Sequence, residues 1–307
     1  MKNKVLIIGE GGREDAIAWK LKQSEKVGEI YSRPEGNFPI EAHDIEGMAE
    51  FAEKNKIDLT FVGPEVPLSL GIVDIFTSFG LKIFGPNKQA TKVESSKPFA
   101  KRLMTEASIP TADFKVFTSY KQARKYVDRR GSPIVIKAGG LNGGKGVYIC
   151  KTSLEAHQAL SAIMRDHAHG SAGDEVVVED YIPGEEISLH AVCDGRQSIV
   201  FPASRDYKRL FDKDKGPNTG GMGAIAPVPD ISEVFLNDIK RRIVWPTLGA
   251  LARINSTFTG LLYPGLMLTR GGPMVLEYNA RFGDPETEVY MRNLKSDLFD
   301  LLMASVD

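Results

Sequence analysis

Residues 139–146 read Gly-Gly-Leu-Asn-Gly-Gly-Lys-Gly and lie between two β-like runs, 134–137 and 147–150. Lys137 and Lys145 stand at the two shoulders of this turn. A glycine-dense turn offers backbone N–H groups, and the lysines add two ammonium charges, which together suit a polyphosphate. The spacing from Gly139 to Gly144-Lys145 approaches a Walker A loop, but Gly146 follows, so no hydroxyl is available for a metal. What comes next is strand-like, without a helix N-terminus to hold phosphate. The pattern predicts a strand–glycine flap–strand over a nucleotide, with Gly143, Gly144, Lys145 and Gly146 against it. A glycine-rich surface hairpin is the plainer alternative.

A second constellation is Glu277-Tyr278-Asn279-Ala280-Arg281-Phe282-Gly283-Asp284. Residues two apart on a strand share a face. Glu277 and Asn279 therefore aim a carboxylate and an amide oxygen at one point, the hard-oxygen ligation that magnesium prefers. Arg281 and Asp284 follow as candidate substrate contacts. Between the two constellations, Glu179, Asp180, Tyr181 and Ile182 end a strand whose backbone can read an adenine edge, and Glu186 can hold ribose hydroxyls. Polar residues at strand ends are also ordinary turn formers. Asp206, Lys208 and Arg209 precede a second glycine-rich loop holding Asn218, Thr219, Gly220, Gly221 and Gly223. These suit an acceptor bearing a carboxylate or phosphate, and a surface loop is the alternative.

The elements that must position these residues read as α/β. Strand-like runs at 4–8, 29–32, 58–62 and 82–84 alternate with helical patterns at 13–23, Ile45–Asn55 and 70–79. That alternation predicts a parallel sheet with crossover helices, Rossmann-like in class. Ligands gather at the carboxyl ends of such strands, where loops 9–14, 63–65 and 85–87 fall. Gly9-x-Gly11 begins a dinucleotide fingerprint, but Glu14 occupies the third glycine position, which argues against NAD. The better reading is an anion-holding turn at a helix N-terminus, with Arg13 and Glu14 reaching a polar ligand. Ser96 and Pro98 start a helix through 106. The expected division is an N-terminal α/β domain at 1–104 and an α+β domain at 105–307, with a small lid lobe at about 118–190. The second region mixes helices at 120–129 and Ser153–Met164 with antiparallel-looking strands at 175–179 and 188–193. The chain closes on an amphipathic pattern through Leu294, Leu298, Phe299, Leu301 and Leu302, whose apolar face needs a partner.

Of 307 residues, 42% are hydrophobic and 26% charged, the balance of an ordinary globular protein. Lys plus Arg (39) nearly cancels Asp plus Glu (40), which argues against a nucleic-acid partner. The first apolar run, 5–8, stops at Gly9, too short for a signal peptide, and no window approaches a membrane span. Cys150 and Cys193 both sit in strand-like runs, fitting reduced core thiols in a cytoplasmic compartment.

In sum the chain resembles the ATP-grasp ligases, and among them the phosphoribosylamine–glycine ligase family of purine biosynthesis. The resemblance is carried by Gly11-Gly12-Arg13-Glu14, Gly63-Pro64-Glu65, Ser96-Lys97-x-Phe99-Ala100-Lys101, Gly144-Lys145-Gly146-Val147, Gly184-Glu185-Glu186, the 216–224 loop and the stretch 277–287. It implies a Rossmann-like domain followed by an ATP-grasp domain, with ATP and Mg2+ (or Mn2+) as cofactors. It also implies glycine and 5-phosphoribosylamine as substrates, joined through glycyl phosphate. On this pattern Lys97, Lys137 and Lys145 hold phosphates, 179–182 read adenine, Glu186 takes the ribose, and Glu277 and Asn279 bind the metal. Gly11, Gly12, Arg13, Glu14, Glu65, Asp206, Lys208, Arg209 and the 218–223 loop contact substrate, and Arg281, Lys145 and Asp284 serve catalysis. The family usually has histidine where this chain has Asp15, a Pro-Gly-Asn loop where it has Arg33-Pro34-Glu35-Gly36-Asn37, and histidine where it has Tyr207. Family members continue into another domain that helps close the acceptor site, so the resemblance implies either a separate chain supplying it or an open acceptor site. The alternatives are an ATP-grasp ligase with another amine acceptor, and a non-catalytic nucleotide-binding subunit of a split ligase.

Overall fold

A computed structural model describes residues 2–143, 145–212 and 215–307, without the side chains of Pro217 and Asn218. The chain packs as two compact units, one comprising 1–91, 187–265 and 279–307, the other 92–186 and 266–278. Strand Thr259–Thr269 carries the chain out of the first unit and strand Gly272–Asn279 carries it back. This division is discontinuous, whereas the sequence expectation cuts the chain once at 104/105. The difference arises because residues 187–265 and 279–307 pack with the N-terminal elements.

In the first unit, strands Val27–Tyr31, Asn3–Ile8, Leu59–Val62 and Ile83–Phe84 form a parallel sheet in that spatial order. All four residues of Leu59–Val62 are buried, as expected of a parallel strand covered on both faces. Helices Gly12–Leu21 and Ile45–Asn55 form near the expected spans. The amphipathic C-terminal pattern forms helix Leu298–Met303, and Leu298, Phe299 and Leu302 join the core of Val5, Ile17 and Leu21. Its apolar face thus finds its partner within the same unit. Phe282, Tyr290 and Tyr263 belong to that core as well, so the segment after Asn279 is anchored on buried aromatic rings.

In the second unit, strands Phe114–Phe117, Val176–Asp180, Ile134–Ala138 and Val147–Cys150 form an antiparallel sheet in that order. Helices Tyr120–Arg130 and Ser153–Met164 cover one face, burying Ile134, Ile136, Ala138, Val176 and Val178. Side chains alternate along each strand, so Lys137 and Glu179 fall on the opposite face. The expected single strand at 188–193 is two, Glu185–Ser188 and Ala191–Asp194. Both pair with strand Thr259–Thr269, and Ser188 additionally bridges Ser204. Cys150 and Cys193 are free and buried, and burial pushes their thiols up to about 11 and about 12. No helix among the described residues is long and apolar enough to cross a membrane.

Candidate active site

The register of the second sheet sets Val135 opposite Glu179 and Lys137 opposite Val177. Lys137 and Glu179 are therefore diagonal neighbours on one face, within reach of each other. They form an ion pair, and the Lys137 ammonium also donates to the Leu276 carbonyl at 2.9 Å. A second lysine enters from helix Lys97–Glu106, which starts at a Ser96 cap accepting from Phe99 N–H at 3.3 Å. Residues four apart share a helix face. Lys97 donates to the Gly140 carbonyl at the flap root (3.3 Å), and Lys101 pairs with Glu179 at 2.5 Å. Burial pushes the Lys97 and Lys101 ammonium groups below their ordinary value, only partly offset by Glu277 and Glu179 respectively. For Lys137 burial acts in the same direction, but Glu179 and Glu277 outweigh it and hold it above. Burial also opposes the Glu179 charge, and Lys137 and Lys101 overcome that and lower its pKa. The result is a dry face bearing clustered cations, suited to phosphate oxygens.

The glycine segment connects two paired strands, as the sequence predicts. Gly139 and Gly140 lie so close to Glu175 and Ala172 that a Cβ on either would meet them at 2.9 and 2.8 Å. His169 bridges Asn142 and the Tyr148 hydroxyl, which shapes the flap. Lys145 is exposed there, with Gly143 and Gly146 beside it, and Gly144 lies outside the described residues. Asp180 turns to the covered face, where Arg130 binds it through two nitrogens. Tyr181 and Glu186 are exposed and Ile182 is half-buried. Glu277 and Asn279 are half-buried, two residues apart on strand Gly272–Asn279. A carboxylate and an amide oxygen form a donor set that fits a hard divalent ion bridging phosphates. Among the described residues no group of three or more His, Cys, Asp or Glu is placed to hold a metal by itself.

In the first unit the loops at the strand ends converge on residues 281–284. Glu14 caps the first turn of helix Gly12–Leu21 by accepting Gly11 N–H at 2.6 Å, while its other oxygen takes Arg13 Nε at 2.5 Å. Both side chains are buried, so this pair builds the turn. Gly9 and Gly63 leave the space that the Glu14 side chain fills, since a Cβ at either would overlap it. Arg13 and Arg281 both donate to the Phe282 carbonyl, at 3.1 and 3.2 Å. Arg281 also pairs with Glu65 at 3.3 Å. Burial works against the Glu65 charge, but Arg281 outweighs it and lowers the Glu65 pKa. Asp284 is exposed beside Gly11, and Glu288 lies beside Gly12. Gly221 abuts both Pro285 and Asp206, and Lys208 approaches Asp206 at 3.8 Å. Thr219 accepts Gly221 N–H at 3.1 Å and shapes the loop that also carries Gly220 and Gly223. Arg209 turns back to the Gly216 carbonyl of its own hairpin, and the Asn218 side chain lies outside the described residues.

This distribution of residues has close counterparts in known proteins. The N domain of phosphoribosylglycinamide synthetase matches residues 3–94, and the ATP-grasp (A) domain of the same enzyme matches 95–287. The chain belongs to this family. The phosphoribosylamine–glycine ligase of Halalkalibacterium halodurans is 49% identical over 99% of this chain and 73% of its own length. The crystal structure of phosphoribosylamine–glycine ligase from Thermotoga maritima superposes with a TM-score of 0.80 at 33% identity, covering 98% of this chain and 75% of that one. D-alanine–D-alanine ligase from Bacillus anthracis shares the fold at 19% identity, with a TM-score of 0.68 over 100% of this chain and 97% of its own. Family membership brings ATP use and a divalent metal, and makes this chain an ATP-grasp ligase.

Two buried groups near the candidate residues were not singled out by the sequence. Lys101 was legible as the i+4 neighbour of Lys97, but its partner Glu179 is distant in sequence. His190, fully buried, was not singled out at all. Its Nε2 accepts Gly283 N–H at 3.1 Å, and its ring stacks on Tyr263 at 4.2 Å. Burial pushes its pKa down to about 4, with Glu286 opposing and Arg281 assisting. The unfolded chain therefore takes up a proton near pH 6.5 that the folded one refuses until about pH 4, so stability falls as pH drops through that window. A shift of that size corresponds to about 3 kcal/mol. Urea unfolding at pH 7.5 and pH 4 should show wild type losing about that much more than His190→Gln. Parallel losses would show that His190 titrates normally.

Proposed function

We propose that the chain joins glycine to 5-phosphoribosylamine at the expense of ATP, giving glycinamide ribonucleotide, ADP and phosphate. Support comes chiefly from the buried lysines converging on Glu179 in a chain 49% identical to a phosphoribosylamine–glycine ligase. A glycine carboxylate oxygen attacks the γ-phosphorus, ADP leaves, and glycyl phosphate forms. The amine nitrogen of the acceptor then attacks the acyl carbon, phosphate leaves, and the nitrogen loses a proton. No enzyme nucleophile is required, so the protein supplies positioning and charge neutralisation.

In this reading Lys97 and Lys137 hold phosphate oxygens, and Lys145 joins them from the flap. Backbone groups at 179–182 read adenine and Glu186 holds the ribose. Glu277 and Asn279 would hold Mg2+ (or Mn2+), which supplies charge neutralisation at the phosphates when bound. Arg281, fixed by Glu65, binds a substrate carboxylate or phosphate. Asp284, Asp206, Lys208 and the 218–223 loop line the acceptor side, on a wall shaped by Gly11, Gly12, Arg13 and Glu14. The reaction takes place in the cytoplasm.

ADP release tests the reading directly. Purified protein with ATP and Mg2+ should release ADP at a rate that requires both glycine and phosphoribosylamine. ADP appearing only with a different amine would replace the acceptor, a second reading favoured by Asp15. That residue lines a cavity of ≈ 290 Å3 with Gly12, Trp19, Glu288 and Arg292. The Glu288 carboxyl there is raised to about 7 by burial and by its acidic neighbours Asp284 and Glu286.

A further inference from the structure

Lys101 has no role in the reaction as written, yet it is among the most thoroughly buried charges of the second unit, at 2% exposure. An ammonium group is expensive to bury unless paired and hydrogen-bonded. Here it is both. It pairs with Glu179 at 2.5 Å and donates to Thr111 Oγ1 at 2.7 Å, whose hydroxyl donates on to the Val275 carbonyl at 2.7 Å. The Phe114 ring lies 5.5 Å from the ammonium. One carboxylate therefore serves two lysines, Oε2 facing Lys101 and Oε1 facing Lys137.

The charge count decides what this arrangement does. A pair of Lys137 and Glu179 alone is neutral, so the carboxylate cancels much of the attraction Lys137 offers a phosphate. With Lys101 included the trio carries one net positive charge. We propose that Lys101 is a positioning residue for nucleotide binding: it neutralises Glu179 from behind, so that Lys137 presents an uncompensated charge to the phosphates. This rests on the reading of Lys137 as a phosphate ligand. Helix geometry supports it, since Lys97 and Lys101 are four apart on one face, so one helix delivers a lysine to the flap root and another to the back of Glu179.

Titration calorimetry with ATP and Mg2+, in the absence of glycine, measures the effect apart from turnover. Lys101→Met should weaken ATP binding at least tenfold, and Lys101→Arg, which keeps the charge, should stay within about threefold of wild type. The deciding variant is Lys101→Met combined with Glu179→Gln. It again leaves one net positive charge and strands no carboxylate, so it should recover ATP affinity to within about threefold. It remains informative if the single variant fails to fold. In steady state Lys101→Met should raise KM for ATP while KM for glycine holds. ATP binding by the double variant as weak as, or weaker than, that of Lys101→Met would overturn the proposal, as would equal rises in both KM values. Lys137→Met separates the two readings. If it binds ATP like wild type, the phosphate assignment of Lys137 fails. If it loses binding while Lys101→Met does not, the Lys101 inference fails alone.

Discussion

Exchanging Glu277 for glutamine is expected to lower kcat/KM for ATP by about 10²–10³-fold while leaving the fold intact, the scale of losing one group that stabilises charge in a transition state. Two separate effects add here. Glutamine keeps an oxygen at the position but removes the charge that holds a divalent ion. The same charge favours the protonated forms of half-buried Lys97 and buried Lys137, so its loss weakens the phosphate grip as well as the metal. Glu277 is only half-buried, and thermal unfolding should therefore move little. A coupled ADP assay across a Mg2+ series checks this: raising Mg2+ should recover part of the loss through mass action, and the remainder should persist at saturation. Wild-type kcat/KM at every Mg2+ concentration would remove Glu277 from the site.

Much of this arrangement could be read from local sequence because it is set by local geometry. The period of two on strand Gly272–Asn279 faces Glu277 and Asn279 together, and the flap follows from two strand-forming runs around a glycine cluster. The Ser96 cap and Pro98 mark the start of a helix for reasons internal to four residues. What stayed hidden depends on contacts distant in the chain. Glu14 reads as a group reaching for a ligand, yet Gly63 leaves the hollow in which it packs, and no pattern near Glu14 reports that. The apolar face at Leu298 and Leu302 reads as unpartnered because the helix that covers it, Gly12–Leu21, lies at the other end of the sequence. His190 looks like one more strand residue until Gly283 N–H is seen to end on its ring. Motif spacing thus marked the candidate residues, while the groups that hold them in place emerged only with the fold.

Those holding groups make Gly283→Ala a damaging small substitution to test. A Cβ at this position would lie 2.9 Å from His190 Nε2 and closer still to Glu286. Neither neighbour can yield freely. Glu286 is buried and accepts the Ser188 hydroxyl at 2.9 Å and the Tyr263 hydroxyl at 2.5 Å. His190 is pinned by its stacking on Tyr263. The backbone is fixed as well, because the Gly283 carbonyl accepts Thr287 N–H at 3.2 Å and the Thr287 hydroxyl at 2.5 Å. The methyl group must then break the His190 hydrogen bond or overpack the core, a cost of about 3 kcal/mol. Because Arg281 and Asp284 flank this residue, the same shift should misplace both and lower kcat/KM for glycine by about 100-fold. Gly249→Ala is the control. It lies within helix Trp245–Arg253 with no neighbouring atom nearer than 3.9 Å, so a methyl group there should stabilise by about 0.5–1 kcal/mol. Urea unfolding of the two variants should therefore move in opposite directions, and a Gly283→Ala midpoint equal to wild type would show that the 281–284 segment is not clamped.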